Sequence, residues 1–456
     1  MRSTVISALA SWRALVNNGS ERSRKAKKNI IASVVVKGAQ VLINLLLVPL
    51  TINYVNTERY GVWLTLSSLV MWINFLDIGL GHGMRNKLVE TSVTGDVVKG
   101  KIFVSTTYAG LAVVAGGLLL IFLMVNPLLD WQVILNAGSV PEQTLSNAVL
   151  IAFSAFCFQL VLQNINSIFM ANHDPAKASL VNLAGQTLTV AVILVLAQFR
   201  TTDFLELVWI LTAIPPLTLL ISSIYLFRTS YAKFRPSLNL IRPAYARELL
   251  TLGGKFFLIN IGVIILYQSD NILVAQIFGS KDVTTFNIAY RLFFTIVMVF
   301  TVFLLPFWSA VTDAYLKGDL EWVRRSRSKY MKLVVLLSGG CMLILALSDR
   351  IYNFWLGGAV KVPFHLSFFM AIYVIAYMVH SLHVNILNGI GKIQLQLWLV
   401  VICAVVNVVL AIVLSEIVGL PGIVISNIVI FVIMTVVLVV QCERQLAGTA
   451  TGIWNR

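Results

Sequence analysis

Three charged side chains stand inside otherwise apolar stretches: Lys37 in ASVVVKGAQVLINLLLV, Asp270 in Tyr267-Gln-Ser-Asp-Asn271, and Arg291 in NIAYRLFFTIVMVF. A charge at the centre of a bilayer costs about 2.5 to 3.5 kcal/mol on insertion scales, so each of these needs a compensating role. Bases in such places hold anions, and a guanidinium can grip phosphate through two parallel hydrogen bonds. A buried acid either neutralises a neighbouring base or takes up a proton or sodium ion during a transport cycle. Lys37 lies nine residues past Lys28, about 13 Å into an apolar run. It either faces a cavity and attracts an anionic group, or snorkels or pairs structurally. Arg291 lies roughly 8 to 12 Å inside its run and either holds phosphate or anchors at the interface. Asp270 either pairs with Lys37 or Arg291 or serves as the coupling site.

A second group of charges surrounds a glycine-rich break, FLDIGLGHGMRNKL, residues 75–88. Asp77 ends an apolar run there and, like Asp270, is a candidate for ion coupling or a charge pair; glycines 79, 81 and 83 allow close packing, and Arg85 and Lys87 follow. The basic pair either anchors a helix end at the membrane surface or, through Arg85, offers diphosphate a first docking point. Lys255, in GGKFF, enters its run close to the headgroups and either snorkels to them or joins the cationic lining of a cavity. Gln40, Asn44, Gln159, Gln163, Asn164, Asn166, Asn260 and Gln268 either line a sugar path or form interhelical hydrogen bonds.

The elements that must hold these groups are membrane helices. The chain has 456 residues, 58% hydrophobic and 12% charged, and windows of about 20 apolar residues, enough for one helical crossing, recur along almost its whole length. Twelve crossings are expected, near 29–52, 60–81, 102–125, 146–170, 178–198, 205–227, 252–278, 285–311, 331–349, 364–388, 395–415 and 420–441. Charge supports the count, because cytoplasmic segments are enriched in lysine and arginine. Of 34 such residues only Arg59, Arg200, Lys281, Arg350 and Lys361 fall in segments on the other side. The formal charge of +15 therefore reflects topology rather than nucleic-acid binding. Both termini are expected in the cytoplasm. Tyr54, Tyr60, Trp63, Trp131, Trp209, Tyr352 and Trp355 fall near crossing ends, where an aromatic interface belt would place them. Pro49, Pro215, Pro216 and Pro306 interrupt crossings, and either permit bending or are ordinary membrane-helix prolines.

The longest basic inner segment, 228–248, divides the chain into a basic N-terminal segment 1–28, a first lobe 29–227, this linker, a second lobe 249–441 and a tail 442–456. The pattern acid, four residues, Gly-Asp occurs at Glu90 to Asp96 and again at Asp313 to Asp319, each time in an inner loop, 83–101 and 313–332. At equivalent places in two six-span halves this points to an internal repeat, common in alternating-access transporters. Cys157, Cys341, Cys403 and Cys442 have no paired or metal-like spacing, and no Gly-x4-Gly-Lys-Ser/Thr motif occurs, so neither metal nor direct ATP hydrolysis is implied.

Tyr60-Gly-Val-Trp-Leu-Thr-Leu-Ser-Ser, Leu76-Asp-Ile-Gly-Leu-Gly-His-Gly-Met-Arg-Asn-Lys, Pro306-Phe-Trp-Ser-Ala-Val-Thr-Asp-Ala-Tyr-Leu-Lys-Gly-Asp and Leu387-Asn-Gly-Ile-Gly-Lys together resemble the polysaccharide-transporter branch of the multidrug/oligosaccharidyl-lipid/polysaccharide exporter superfamily. His82 departs from the asparagine of many relatives. The resemblance implies an all-α membrane protein, twelve helices in two pseudo-symmetric six-helix lobes around a central cavity, as in the multidrug exporters of the superfamily. It also implies a bacterial inner-membrane flippase that moves undecaprenyl-diphosphate-linked oligosaccharide to the periplasmic leaflet. Membrane lipid and polysaccharide polymerase or assembly proteins are its implied partners. No cofactor is implied beyond a coupling ion, a proton or sodium. Two alternatives stand beside this. A multidrug/cation antiporter of the same fold needs an acidic cavity, whereas the deep charges here lean basic. A membrane glycan polymerase or ligase needs a sizeable catalytic loop, whereas the longest outer loop, about 126–145, holds only Asp130 and Glu142 as acids and no base.

Overall fold

A computed structural model of the chain describes residues 21–71, 80–172, 174–199, 203–246 and 269–455, with side chains from residue 35 on except at 71, 82, 86, 92–94, 175, 305, 306 and 309. Among the described residues every extended regular element is a helix. In lipid the backbone finds no water to bond, and a helix satisfies its polar groups within one segment. The first half comprises α1 (Glu21–Val55), α2 (Thr57–Met71), α3 (Leu80–Thr94), α4 (Val97–Val125), the short α5 (Trp131–Leu135), α6 (Glu142–Leu162), α7 (Ile165–Ala171), α8 (Pro175–Leu196) and α9 (Phe204–Arg228). The second comprises α10 (269–278), α11 (Ser280–Leu316), α12 (Leu320–Ala346), α13 (Ser348–Leu356), α14 (Phe364–Ile390), α15 (Gln394–Val418) and α16 (Pro421–Leu446).

Ten helices among the described residues are long and apolar enough to cross a membrane. The second and seventh expected crossings run through 72–79 and 247–268, outside the described residues, which is compatible with twelve. Asp77, Lys255, Asn260 and Gln268 lie there too. Large apolar side chains are bare on the bundle's outside, with Val113 75% exposed and Ile417 73%. Such a surface suits acyl chains and not water. The protein is a multi-pass membrane protein.

Three expectations need correction. The inner segments 83–101 and 313–332 are not loops. Helices run through them and break only at Gly95-Asp96 and between Leu316 and Leu320. The two breaks are the same device: Gly95 and Gly318 have φ of 74° and 75°, which glycine adopts without strain. Asp96 then caps α4 by accepting from the Lys99 N–H at 2.9 Å, and Asp319 caps α12 by accepting from Trp322 at 3.0 Å. The repeated sequence pattern is thus a repeated turn. The outer segment after α12 also folds, into α13.

The third correction concerns the aromatic residues. Tyr54, Tyr60, Trp63, Trp131 and Tyr352 are buried in the core rather than spread at the lipid interface, and among the seven Trp209 alone is exposed. The polar tips of Tyr54, Trp131 and Tyr352 are tied internally. Tyr54 Oη donates to Glu206 Oε2 at 2.7 Å and Trp131 Nε1 to Asn126 Oδ1 at 2.8 Å. An aromatic side chain with an internal partner gains more from packing than from the interface.

Arg85, Lys99, Lys177, Lys233, Arg242, Arg324, Arg327 and Lys392 lie at one end of the bundle, called the basic end below. Partners there come from the same half: Arg327 pairs with Glu443 at 2.6 Å, Lys177 with Asp174 at 3.1 Å, and Lys87 with Glu90 at 2.9 Å. The Lys87 ammonium bonded to Glu90 holds that carboxyl below the usual carboxylate range. The segment after α9 folds back on the first half, where the Ser237 N–H donates to Ser105 Oγ and the Arg242 N–H to Thr106 Oγ1, both at 3.0 Å.

At the far end the halves meet. Asn136 Nδ2 donates to the Ala275 carbonyl at 2.8 Å, Gln276 Nε2 to that of Ile134 at 2.6 Å, and Thr284 Oγ1 to that of Thr57 at 2.7 Å. Gly61 makes this approach possible: a Cβ there would overlap the Ser280 carbonyl. Replacing Gly61 with alanine is therefore expected to push α2 from α11 and to lower disulfide cross-linking between cysteines placed at 133 and 277. Gly116→Ala, in open space on α4, is expected to leave the yield unchanged.

Candidate functional site

The site is assembled from polar residues that recur at helical spacing on inward faces. On α8, Asn182, Gly185, Gln186 and Thr189 follow one another at three- and four-residue steps, and α1 adds Gln40 and Leu47. With Trp63 and Ser67 of α2, Gln159 of α6, and Leu211 and Pro215 of α9, they enclose a cavity of about 560 Å³, in the size range of ligand pockets. Among the described residues its wall carries amides, hydroxyls, an indole and one charge, Arg291, which comes from the second half; none of the described lining residues is an acid.

Arg291 projects from α11 towards α1, where its Nη1 donates to the Asn44 carbonyl at 3.3 Å. This weak contact uses one of five donors, and no salt bridge to Arg291 occurs among the described residues. Gln40 Nε2 donates to the Ser179 carbonyl at 2.9 Å and fixes α1 against α8. Gln186 Oε1 is buried without a partner among the described residues.

Lys37 lies one helical turn from Gln40 towards the basic end, half-buried, with no ion pair or hydrogen bond among the described residues. Seven residues separate it from Asn44, about 10 Å along α1. Lys37 and Asn44, whose carbonyl meets Arg291, therefore share one face of α1, but Lys37 is not among the described residues that line the cavity. Arg85 is exposed on α3 and does not line the cavity. Of the polar residues singled out by sequence, Gln40 and Gln159 line the wall, whereas Gln163, Asn164 and Asn166 sit where α6 breaks into α7. Asn182, Gln186 and Thr189 were missed, although their period in an apolar run was the signal available.

Asp270 does not pair with Lys37 or Arg291 among the described residues. It is buried in the second half, where Asn427 Nδ2 donates to its Oδ2 at 2.8 Å and Asn407 Nδ2 donates to Asn427 Oδ1 at 3.0 Å. Its Oδ1 has no hydrogen-bond partner among the described residues. The next residue points the other way: Asn271 Nδ2 donates to Ser68 Oγ of the first half at 2.6 Å, and Asn287 Nδ2 donates to Asn271 Oδ1 at 2.6 Å. One turn of α10 thus carries an acid into the second half and a hydrogen bond across to the first.

A helical membrane bundle whose halves meet at the far end around a polar chamber has the architecture of a transporter. A family model described as polysaccharide biosynthesis protein matches residues 26–311, and the chain belongs to that family, the polysaccharide-transporter branch of the superfamily. A Salmonella typhi protein provisionally named an O-antigen transporter is 22% identical over 396 residues, covering 83% of this chain and 85% of the relative. Among solved structures, the inward-facing conformation of a multidrug resistance MATE family transporter superposes with a TM-score of 0.74, 14% identity, and coverage of 92% of this chain and 98% of that one. The outward-facing conformation of such a transporter gives 0.66, with 14% identity, 92% of this chain and 95% of that one. The fold is that of the MATE transporters.

The Asp270 contacts yield a stability test. Asn427→Leu strips a buried carboxyl of its donor, which costs about 1 to 3 kcal/mol, and is expected to lower the unfolding midpoint in detergent. Adding Asp270→Leu removes the orphaned group and is expected to recover part of that loss.

Proposed function

We propose that the protein is a flippase that moves undecaprenyl-diphosphate-linked oligosaccharide repeat units, such as those of O-antigen, from the cytoplasmic to the periplasmic leaflet by alternating access. The observation that carries this reading is the wall of the cavity: amides and hydroxyls suited to sugar hydroxyls, Trp63 as an apolar face, and Arg291 as its charge with no acid among the described lining residues. A chamber for cationic drugs would present carboxylates instead. The basic end is then cytoplasmic, by the lysine and arginine bias, and both termini lie on that side of the inner membrane.

In this scheme Arg85 and the bases of the cytoplasmic face attract the lipid diphosphate, Lys37 receives it at the mouth, and Arg291 holds an anionic group deeper in. The polyprenyl tail stays in lipid. Asp270 is the site at which a proton or sodium ion couples to the cycle, since a buried carboxylate with one oxygen free has a reason to bind a cation. Asn271, on the same turn, joins that event to the contact between halves.

Reconstituted vesicles test the proposal by following transbilayer movement of a lipid-linked oligosaccharide. Arg291→Gln and Lys37→Gln are each expected to slow transport at limiting substrate about ten-fold or more, the loss of one charge-assisted hydrogen bond. Normal rates in both variants at matched insertion would remove the cationic chamber from the mechanism. Asp270→Asn is expected to abolish the response to an imposed proton or sodium gradient. A response equal to wild type would exclude Asp270 as the coupling site.

A further inference from the structure

Helix α1 contains Pro49 within its run from Glu21 to Val55. Proline has no N–H, so the Leu45 carbonyl four residues earlier loses the donor that every other position in the helix would return to it. In hydrocarbon such a group must find another partner. It finds one in the second half: Trp355 of α13, half-buried, donates its indole Nε1–H to the Leu45 carbonyl at 2.8 Å, across 310 residues of chain. One residue earlier, the Asn44 carbonyl receives Arg291 from α11. The proline kink is thus a docking point for two donors from the opposite half.

We propose that Trp355 is a positioning residue for the transport cycle, an interhalf latch whose bond exists because Pro49 leaves a carbonyl vacant. The proposal rests on the alternating-access reading. In the far-end-closed arrangement the indole satisfies Leu45 and, with Arg291 at Asn44, holds this stretch of α1 to the second half. When that end opens, α13 departs with its half and water takes the carbonyl. The bond therefore differs between the two states, as any group that biases a conformational equilibrium must. Pro49 and Trp355 form a matched pair: the vacancy has no use without the indole, and the indole has no acceptor without the vacancy. An anchor that only stabilised α13 would take any free polar group, whereas this one takes the carbonyl that the proline vacates.

Spin labels at positions 133 and 277, on the two sides of the far-end contact, report closure in the full-length protein, because the four native cysteines are buried. Trp355→Phe keeps the ring and removes the donor. It is expected to raise the far-end-open population about five-fold, the equivalent of one ordinary hydrogen bond. Trp355→His, which restores a ring N–H, is expected to recover much of the closure. Pro49→Ala returns an N–H to the Leu45 carbonyl, so in that background Trp355→Phe is expected to change the distances little. A five-fold shift in both backgrounds, or in neither, overturns the latch. If instead the wild-type protein shows a single distance with and without lipid-linked oligosaccharide and under every ion gradient, alternating access fails and the latch falls with it.

Discussion

A polar group placed in hydrocarbon has no water to fall back on, and its partner must come from the protein. This obligation makes the backbone helical throughout the described crossings. It also governs each place where helix geometry leaves something over. Asp270 is matched by Asn427, which is matched by Asn407. The threonines and serines of the spans bond mostly to carbonyls one turn back, as Thr65 does to Gly61 and Thr212 to Val208. At Pro49 the helix cannot supply its own partner, and the other half does.

The same obligation separates the two ends of the bundle. Hydrogen bonds between the halves gather towards the far end, where side-chain amides and hydroxyls meet backbone carbonyls at Thr57, Ile134 and Ala275. The bases at the other end take acids from their own half. Among the described residues no comparable set of bonds holds the halves together there. The seal at the far side follows from this distribution of donors and acceptors.

Much of this was legible in the chain, because hydropathy and charge bias act locally. The crossings, the basic end, Arg291 as a deep cation and the paired Gly-Asp turns follow from neighbours along the sequence. What was not legible depends on partners far apart. Asp270 reads as a counter-ion until Asn427 arrives beside it, 157 residues later. Tyr54 reads as an interface residue until Glu206 takes its hydroxyl. The basic stretches read as loops because charge was equated with disorder, although arginine and lysine are good helix formers. A helix that leaves the membrane needs no change of backbone. The α8 face of Asn182, Gln186 and Thr189 was readable, for its period is plain once the apolar residues are set aside.

The chamber is built unequally. Among the described lining residues the amides, hydroxyls and indole belong to the first half, and the guanidinium belongs to the second. A rigid rotation of one half against the other therefore moves that positive charge relative to the amide-bearing wall. A cargo gripped by both cannot keep both grips through such a movement. Letting go is therefore already drawn into the way the walls are shared, and a compartment furnished wholly by one side would lack this.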